Sequence, residues 1–239
     1  MLAITCPGQG AQKTGFLSSF LELDTFSAQI DELSTASGID LRLHGTESDD
    51  ETIKDTAVAQ PLLVASAVAC AAELGVSPAV VAGHSVGEIA AAQIAGIFTP
   101  ADAMAFVKVR ADGMAAAAAV TPTGMSAVVG GQPEDVLAAI EAAGASPANV
   151  NGGGQTVAAG SLEALETLAE NPPERARVIP LAVAGAFHTE FMAPATADLD
   201  AAASAMEVSD PSVSILSNSD GTAVEAGREY VDRLVKQVT

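Results

Sequence analysis

Apolar and polar positions along the chain predict strands alternating with helices. Residues 2–6 form a short apolar run that ends at Pro7-Gly8, the length and boundary of a buried strand. A Gly-rich loop follows over 7–12, and the spacing then predicts helices over 16–23 and 26–34, before an acidic, polar stretch over 49–55. Residues 61–74 are apolar on nearly every face, which suits a buried helix, with Pro61 at its first position and Gly75 as its stop. A second strand pattern over 79–82 leads into an Ala-rich helical stretch over 88–96. The next helix, over 100–119, places Phe106, Val107, Arg110 and Met114 on one face.

From Thr121 the texture changes. Strand patterns over 125–130, 148–151, 156–159 and 176–183 and helical patterns over 133–143 and 162–169 give β-α-β-β-α-β, the ferredoxin-like order. This reads as an insert, because chemistry-bearing residues return at Ala186-Phe187-His188. A strand over 213–217 and a helix over 226–238 close the pattern. There is no internal repeat and no low-complexity linker beyond the Ala runs.

Composition narrows the picture. The 239 residues make one or two domains, and 49% hydrophobic content with only 3% aromatic residues means an aliphatic, Ala-rich core. The net charge of −20 argues against nucleic acid and against anionic membrane surfaces as partners. An acidic partner would have to dock on a local patch drawn from ten Lys and Arg, for which Lys108, Arg175 and Arg177 are the weak candidates. Cys6 and Cys70 lie in apolar runs and read as reduced core thiols, which favours a cytoplasmic protein. Three scattered histidines offer no metal-ligand spacing, the N-terminus lacks a basic leader, and no stretch reads convincingly as a membrane span.

The chemistry concentrates at Gly83-His84-Ser85-Val86-Gly87. Between a strand and a helix, G-x-S-x-G is a nucleophile elbow, in which a sharp turn exposes the serine hydroxyl beside the helix N-terminus. Ser85 needs a base. His84 is adjacent and its side chain should diverge on a tight turn, and His44 sits in a polar loop and is assigned no role; His188, after a predicted strand, is the better candidate. The acids between Ser85 and His188 fall on predicted helices and insert surfaces, so no carboxylate stands where an ordinary triad would place it. A backbone or amide oxygen could orient the histidine instead. The loop Gly8-Gln9-Gly10 lacks the Walker spacing but lies where a hydrolase-type sheet supplies an oxyanion donor, which makes the N–H groups of Gln9 and Val86 the candidate pair. Arg110, on an apolar stripe, needs an anion nearby.

These residues resemble the malonyl-CoA:acyl carrier protein transacylase family, in the form found in actinobacteria. The resemblance rests on Pro7-Gly8-Gln9-Gly10-Ala11-Gln12, Gln60-Pro61-Leu62-Leu63, Gly83 to Glu88, Arg110, the N-x-x-x-Q-x-V-x-A-G segment from Asn151 to Gly160, and Gly185-Ala186-Phe187-His188, in the family's order over nearly the whole chain. It implies an α/β fold with an α/β-hydrolase-like core on a parallel sheet, formed by residues 1–120 and 187–239, and a ferredoxin-like subdomain over 121–186. It implies malonyl transfer from malonyl-CoA to acyl carrier protein through a malonyl-serine, in fatty acid or polyketide synthesis. No cofactor is expected beyond malonyl-CoA as substrate, and no nucleic acid, no membrane and a monomeric chain are expected.

By the same resemblance Ser85 and His188 are catalytic, and the main-chain carbonyl of Gln237 accepts the histidine N–H in place of a carboxylate. Gln9, Gln60, Val86, Arg110, Met114, Asn151 and Phe187 would contact substrate, with Phe187 narrowing the pocket against a 2-methyl branch. The family pattern runs on past this glutamine through N-P-V-x-W, whereas here Thr239 follows two positions later and tryptophan is absent, so the chain is expected to be C-terminally short. Two alternatives stand beside this reading. A serine esterase or thioesterase would carry a triad carboxylate and no pocket arginine, and an inactive domain that docks carrier protein would keep the motifs without forming an acyl-enzyme.

Overall fold

The computed structural model describes residues 1–183 and 185–239. In chain order the elements are β1 (Ala3–Cys6), α1 (Asp24–Ser37), α2 (Leu41–Thr46), α3 (Thr56–Leu74), β2 (Val80–Gly83), α4 (Gly87–Ile94), α5 (Pro100–Val120), β3 (Thr123–Gly130), α6 (Pro133–Ala142), β4 (Ser146–Val150), β5 (Gln155–Ser161), α7 (Leu162–Glu170), β6 (Ala176–Pro180), α8 (Thr196–Ala205), β7 (Ser214–Leu216), β8 (Ala223–Val224) and α9 (Gly227–Lys236). They form two compact units, residues 1–112 with 198–237 and residues 113–197 with 238–239.

The first unit is built on a four-stranded sheet of order β1-β2-β7-β8. β1, β2 and β7 are parallel, with Cys6 paired to Gly83 and Ala82 to Leu216, and β8 closes the edge antiparallel. The strands that reach the site are therefore parallel, and their C-terminal ends lie side by side, where open α/β sheets place ligands. α3 is the central core helix. It has the length and mean hydropathy, 1.6, of a membrane span, yet 56% of that window is buried inside the fold.

Several expectations are corrected here. α3 begins at Thr56, because the Asp55 carboxylate accepts from the Ala57 N–H and caps it there, so Pro61 lies inside the helix and not at its start. Gly75 does end it, in the left-handed conformation at φ 58°. The helix expected over 16–23 reduces to one 3₁₀ turn, Phe20–Glu22, after Gly15 at φ 73°. His44 belongs to the last turn of α2, whose N-cap Asp40 accepts from the Leu43 N–H, and not to a loop. α2, α8 and β8 are short elements that periodicity did not reveal.

In the second unit all pairings are antiparallel, in the order β4-β5-β3-β6. Val128, Ala158, Val136, Ile140, Leu165 and Leu168 form its core. The ferredoxin-like pattern is present, with β6 ending at Pro180, which pairs with Ser126 of β3. As a compact unit it takes in residues 113–197 with 238–239. A Cβ at Gly113 would stand 3.0 Å from the Ala195 methyl, and one at Gly185 would stand 2.8 Å from the Ala118 methyl. The end of α5 and the segment 185–197 thus pack together within this unit.

Candidate active site

Ser85 stands on the turn between β2 and α4 with φ 51°, a left-handed conformation that costs a non-glycine residue roughly 1–2 kcal/mol. The surroundings hold it there. The Ser85 N–H donates to Asn218 Oδ1 at 2.8 Å, and the Gly87 and Glu88 N–H groups close the turn on the carbonyls of His84 and Ser85, each at 3.0 Å. The flanking glycines are needed for close approach. A Cβ at Gly83 would lie 2.1 Å from the Glu88 nitrogen, and one at Gly87 would lie 2.3 Å from the Cys6 carbonyl oxygen. Val86, buried, is the N-cap of α4. Gln9 lies in the loop after β1 and is tied by its side chain to the Lys54 carbonyl and the Thr56 hydroxyl, both at 3.3 Å.

Arg110 is the largest fully buried side chain, 2% exposed. Its guanidinium donates from Nη1 to Gln60 Oε1 at 2.6 Å, and from Nη2 to Gln237 Oε1 at 3.1 Å and to Ser85 Oγ at 3.3 Å. Burial pushes its pKa down to about 10, with the Glu88 carboxylate opposing the shift. A charge desolvated to that degree and held by neutral amides is prepared to meet an anion.

Glu88 was missed by sequence reasoning as a site residue. It is 2% exposed and accepts from the Asn218 N–H at 2.6 Å, from the Tyr230 hydroxyl at 3.1 Å, and, at its other oxygen, from the Gln237 side-chain amide. Burial raises its pKa above the ordinary 4.5, against the bonds from Asn218 and Tyr230 and the charges of Arg110 and Arg233. Its position directly after the elbow glycine was the available signal. Asn218, two residues beyond the end of β7 at Leu216, and Tyr230, on the buried face of α9, gave none. Gln237, implied through its main-chain carbonyl, places its side-chain amide in this network as well. Cys6, by contrast, is driven up to about 12 by burial and is inert at neutral pH.

The second unit holds His188, Phe187, Met114 and Asn151. His188 has φ 61° and, with Ser85 and Arg175, is one of three non-glycine residues at positive φ among the described residues. Strained backbone concentrates at functional positions, and two of these three are the proposed nucleophile and base. The turn bearing His188 is fixed from both sides, the Ala186 N–H donating to Thr123 Oγ1 at 3.0 Å and the Thr189 hydroxyl to the Ala186 carbonyl at 2.6 Å. Phe187 and Met114 are buried. Asn151 is exposed and bonds to Gln155 through both backbone and side chain, which gives it a turn-forming role in this structure.

A hydrolase-like parallel sheet with an elbow serine and a buried arginine beside it defines a serine acyltransferase architecture. The chain belongs to the acyl transferase domain family, whose model matches residues 4–234. It is 49% identical over 245 aligned positions to the malonyl CoA-acyl carrier protein transacylase of Mycobacterium tuberculosis, covering 100% of this chain and 81% of that protein. The crystal structure of MCAT from Mycobacterium tuberculosis superposes with a TM-score of 0.96 at 49% identity, covering 100% of this chain and 81% of the other. A malonyl-transacylase solved in complex with a type II polyketide synthase acyl carrier protein superposes with a TM-score of 0.92 at 28% identity, covering 99% of this chain and 80% of the other.

Proposed function

We propose that this chain is an acyl carrier protein S-malonyltransferase acting in fatty acid synthesis, with Ser85 as nucleophile and His188 as base. The observation that carries the reading is the buried Arg110 guanidinium, whose Nη2 lies 3.3 Å from Ser85 Oγ. A hydrolase of neutral esters has no use for a desolvated cation at its nucleophile. A transferase selecting a carboxylated acyl group does.

The reaction proceeds in two half-reactions. His188 takes the Ser85 proton as Oγ attacks the thioester carbonyl of malonyl-CoA, and the N–H groups of Gln9 and Val86 hold the oxyanion. Loss of one such donor typically lowers the rate about 10²–10³-fold. The thiolate of coenzyme A leaves with the proton from His188, and malonyl-Ser85 remains. The pantetheine thiol of acyl carrier protein then attacks this ester, with His188 again the base, and Ser85 recovers its proton. The Gln237 carbonyl orients the imidazole, and the guanidinium of Arg110 pairs with the malonyl carboxylate in a two-point contact. Gln60 supports that guanidinium, while Met114 and Phe187 wall the acyl pocket. The chain needs no cofactor, works in the cytoplasm as a monomer, and takes acyl carrier protein as its acceptor.

The test is the intact mass of the chain after mixing with malonyl-CoA. One malonyl group gained by the wild type and none by Ser85→Ala supports the reading. A folded wild type that gains nothing refutes it and favours a domain that only docks carrier protein.

A further inference from the structure

We propose that Glu88 is a positioning residue for malonate selection: through the side-chain amide of Gln237 it holds the Arg110 guanidinium in place for the malonyl carboxylate. The inference deepens the function proposed above and rests on it. Five residues close a ring of hydrogen bonds. Ser85 N–H donates to Asn218 Oδ1, Asn218 N–H to Glu88 Oε1, Gln237 Nε2 to Glu88 Oε2, and Arg110 Nη2 to both Gln237 Oε1 and Ser85 Oγ. The ring thus ties the backbone of the nucleophile to the cation beside its hydroxyl.

The chemistry of the groups dictates the direction of every bond. Arginine only donates and an ionised carboxylate only accepts, so the Gln237 amide between them can stand in one orientation, oxygen toward Arg110 and nitrogen toward Glu88. Glu88 therefore sets the orientation of the acceptor that holds Arg110. Were position 88 an amide, its oxygen would stay with the Asn218 N–H, which cannot accept, and its NH₂ would face Gln237. Gln237 would then either oppose that NH₂ with its own or turn over and present NH₂ to Arg110. In each arrangement two donors face each other, and the guanidinium keeps Gln60 as its firm anchor but loses the fixed orientation of its Gln237 acceptor. A change of one atom at Glu88 is thus carried to Arg110 without any change of volume.

The experiment measures acyl-enzyme formation with malonyl-CoA and acetyl-CoA as separate substrates, for wild type, Glu88→Gln, Gln237→Leu, the double variant and Tyr230→Phe. Glu88→Gln should lower the malonyl-to-acetyl preference in kcat/KM by at least about tenfold, the scale of one hydrogen bond to a charged group, with the loss in KM for malonyl-CoA. Gln237→Leu cuts the same link while keeping its main-chain carbonyl, so it should lose preference similarly, and the double variant should be no worse than either single one. Tyr230→Phe removes a bond to the same carboxylate but leaves the amide link, and should keep the preference. If Glu88→Gln fails to fold, preference retained in Gln237→Leu still overturns the inference.

Preference retained in Glu88→Gln or Gln237→Leu overturns the inference. So does an equal fall for both acyl groups, a double-variant loss that multiplies the single ones, or a Tyr230→Phe loss as large as that of Glu88→Gln. A wild type that takes up no malonyl overturns the proposed function itself and this inference with it, whereas a malonylated wild type with an unchanged Glu88→Gln ratio overturns the inference alone.

Discussion

Arg110 Nη2 donates to Ser85 Oγ at 3.3 Å, so the fully buried cation is in direct contact with the nucleophile. Acylation converts that hydroxyl oxygen into an ester oxygen, a poorer acceptor, and delivers a carboxylate, a much better one. The guanidinium then exchanges a weak partner for a strong one. Arg110→Ala should therefore lose malonyl preference while keeping residual acyl-ester formation, with a fall of about 10²-fold or more in the malonyl-to-acetyl ratio, since a buried charge pair is worth several kcal/mol. Competition between the two thioesters for Ser85, read by mass, checks this. An equal fall for both would remove Arg110 from selectivity.

The same burial predicts a pH dependence. Arg110 is depressed from 12.5 to about 10, so its folded form releases its proton more readily than its unfolded form. Between those two values the unfolded chain binds more protons, and this group's contribution to stability rises with pH. At neutral pH the desolvation penalty is present in full, and the guanidinium is charged. Malonyl preference should accordingly be flat from about pH 6 to 9, the range over which the guanidinium keeps its charge. Acyl-enzyme ratios across that range test it, and a preference that titrates near pH 7 would assign selectivity to another group.

The elements legible in the sequence are those whose local chemistry admits one solution. The elbow was readable because a strand-to-helix turn with backbone at van der Waals distance on both sides requires Gly83 and Gly87. The ferredoxin-like unit was readable because its strands are bounded by turn residues and its helices carry Pro133 and Ser161 at their starts. The start of α3 was not, because Pro61 gave a strong local signal while the true cap, Asp55, sat in an acidic stretch that reads as solvated. Glu88 was passed over for the same reason. A carboxylate early in a helix reads as a surface group favoured by the helix dipole, and its burial depends on Asn218 and Tyr230, more than a hundred residues away in sequence. Local pattern carries no record of such partners.

Phe187 offers a test of substrate size. Its ring is buried, and a Cβ added at Gly185 would lie 3.2 Å from it, so the loop is packed tightly around the side chain. Phe187→Ser should admit methylmalonyl-CoA by opening space for a 2-methyl group. Removing a buried ring typically costs about 3–5 kcal/mol of stability, so the methylmalonyl-to-malonyl ratio is the quantity to follow, and not the absolute rate. A ratio that stays at the wild-type value would show that Phe187 does not bound the pocket.

The elbow glycines give the sharpest stability prediction. A Cβ at Gly83 would meet the Glu88 nitrogen at 2.1 Å and the Gly87 carbonyl carbon at 2.2 Å, both backbone atoms of the first turn of α4. No rotamer relieves such a contact. The strand and helix must separate, which breaks the bonds that hold Ser85 at its positive φ and draws Glu88 out of the ring. Gly83→Ala should cost about 3 kcal/mol or more, at the upper end of what overpacking does, and should abolish acyl-enzyme formation. Gly124→Ala is the control. That glycine lies in β3, where an added Cβ meets only the side-chain ends of Leu162 and Leu165 at 3.4 Å, so the change should fall within about 1 kcal/mol of neutral. Thermal melts followed by circular dichroism compare the two. A Gly83→Ala melt no lower than that of Gly124→Ala would mean that β2 and α4 can part without loss, and the close approach would not be what holds the nucleophile in place.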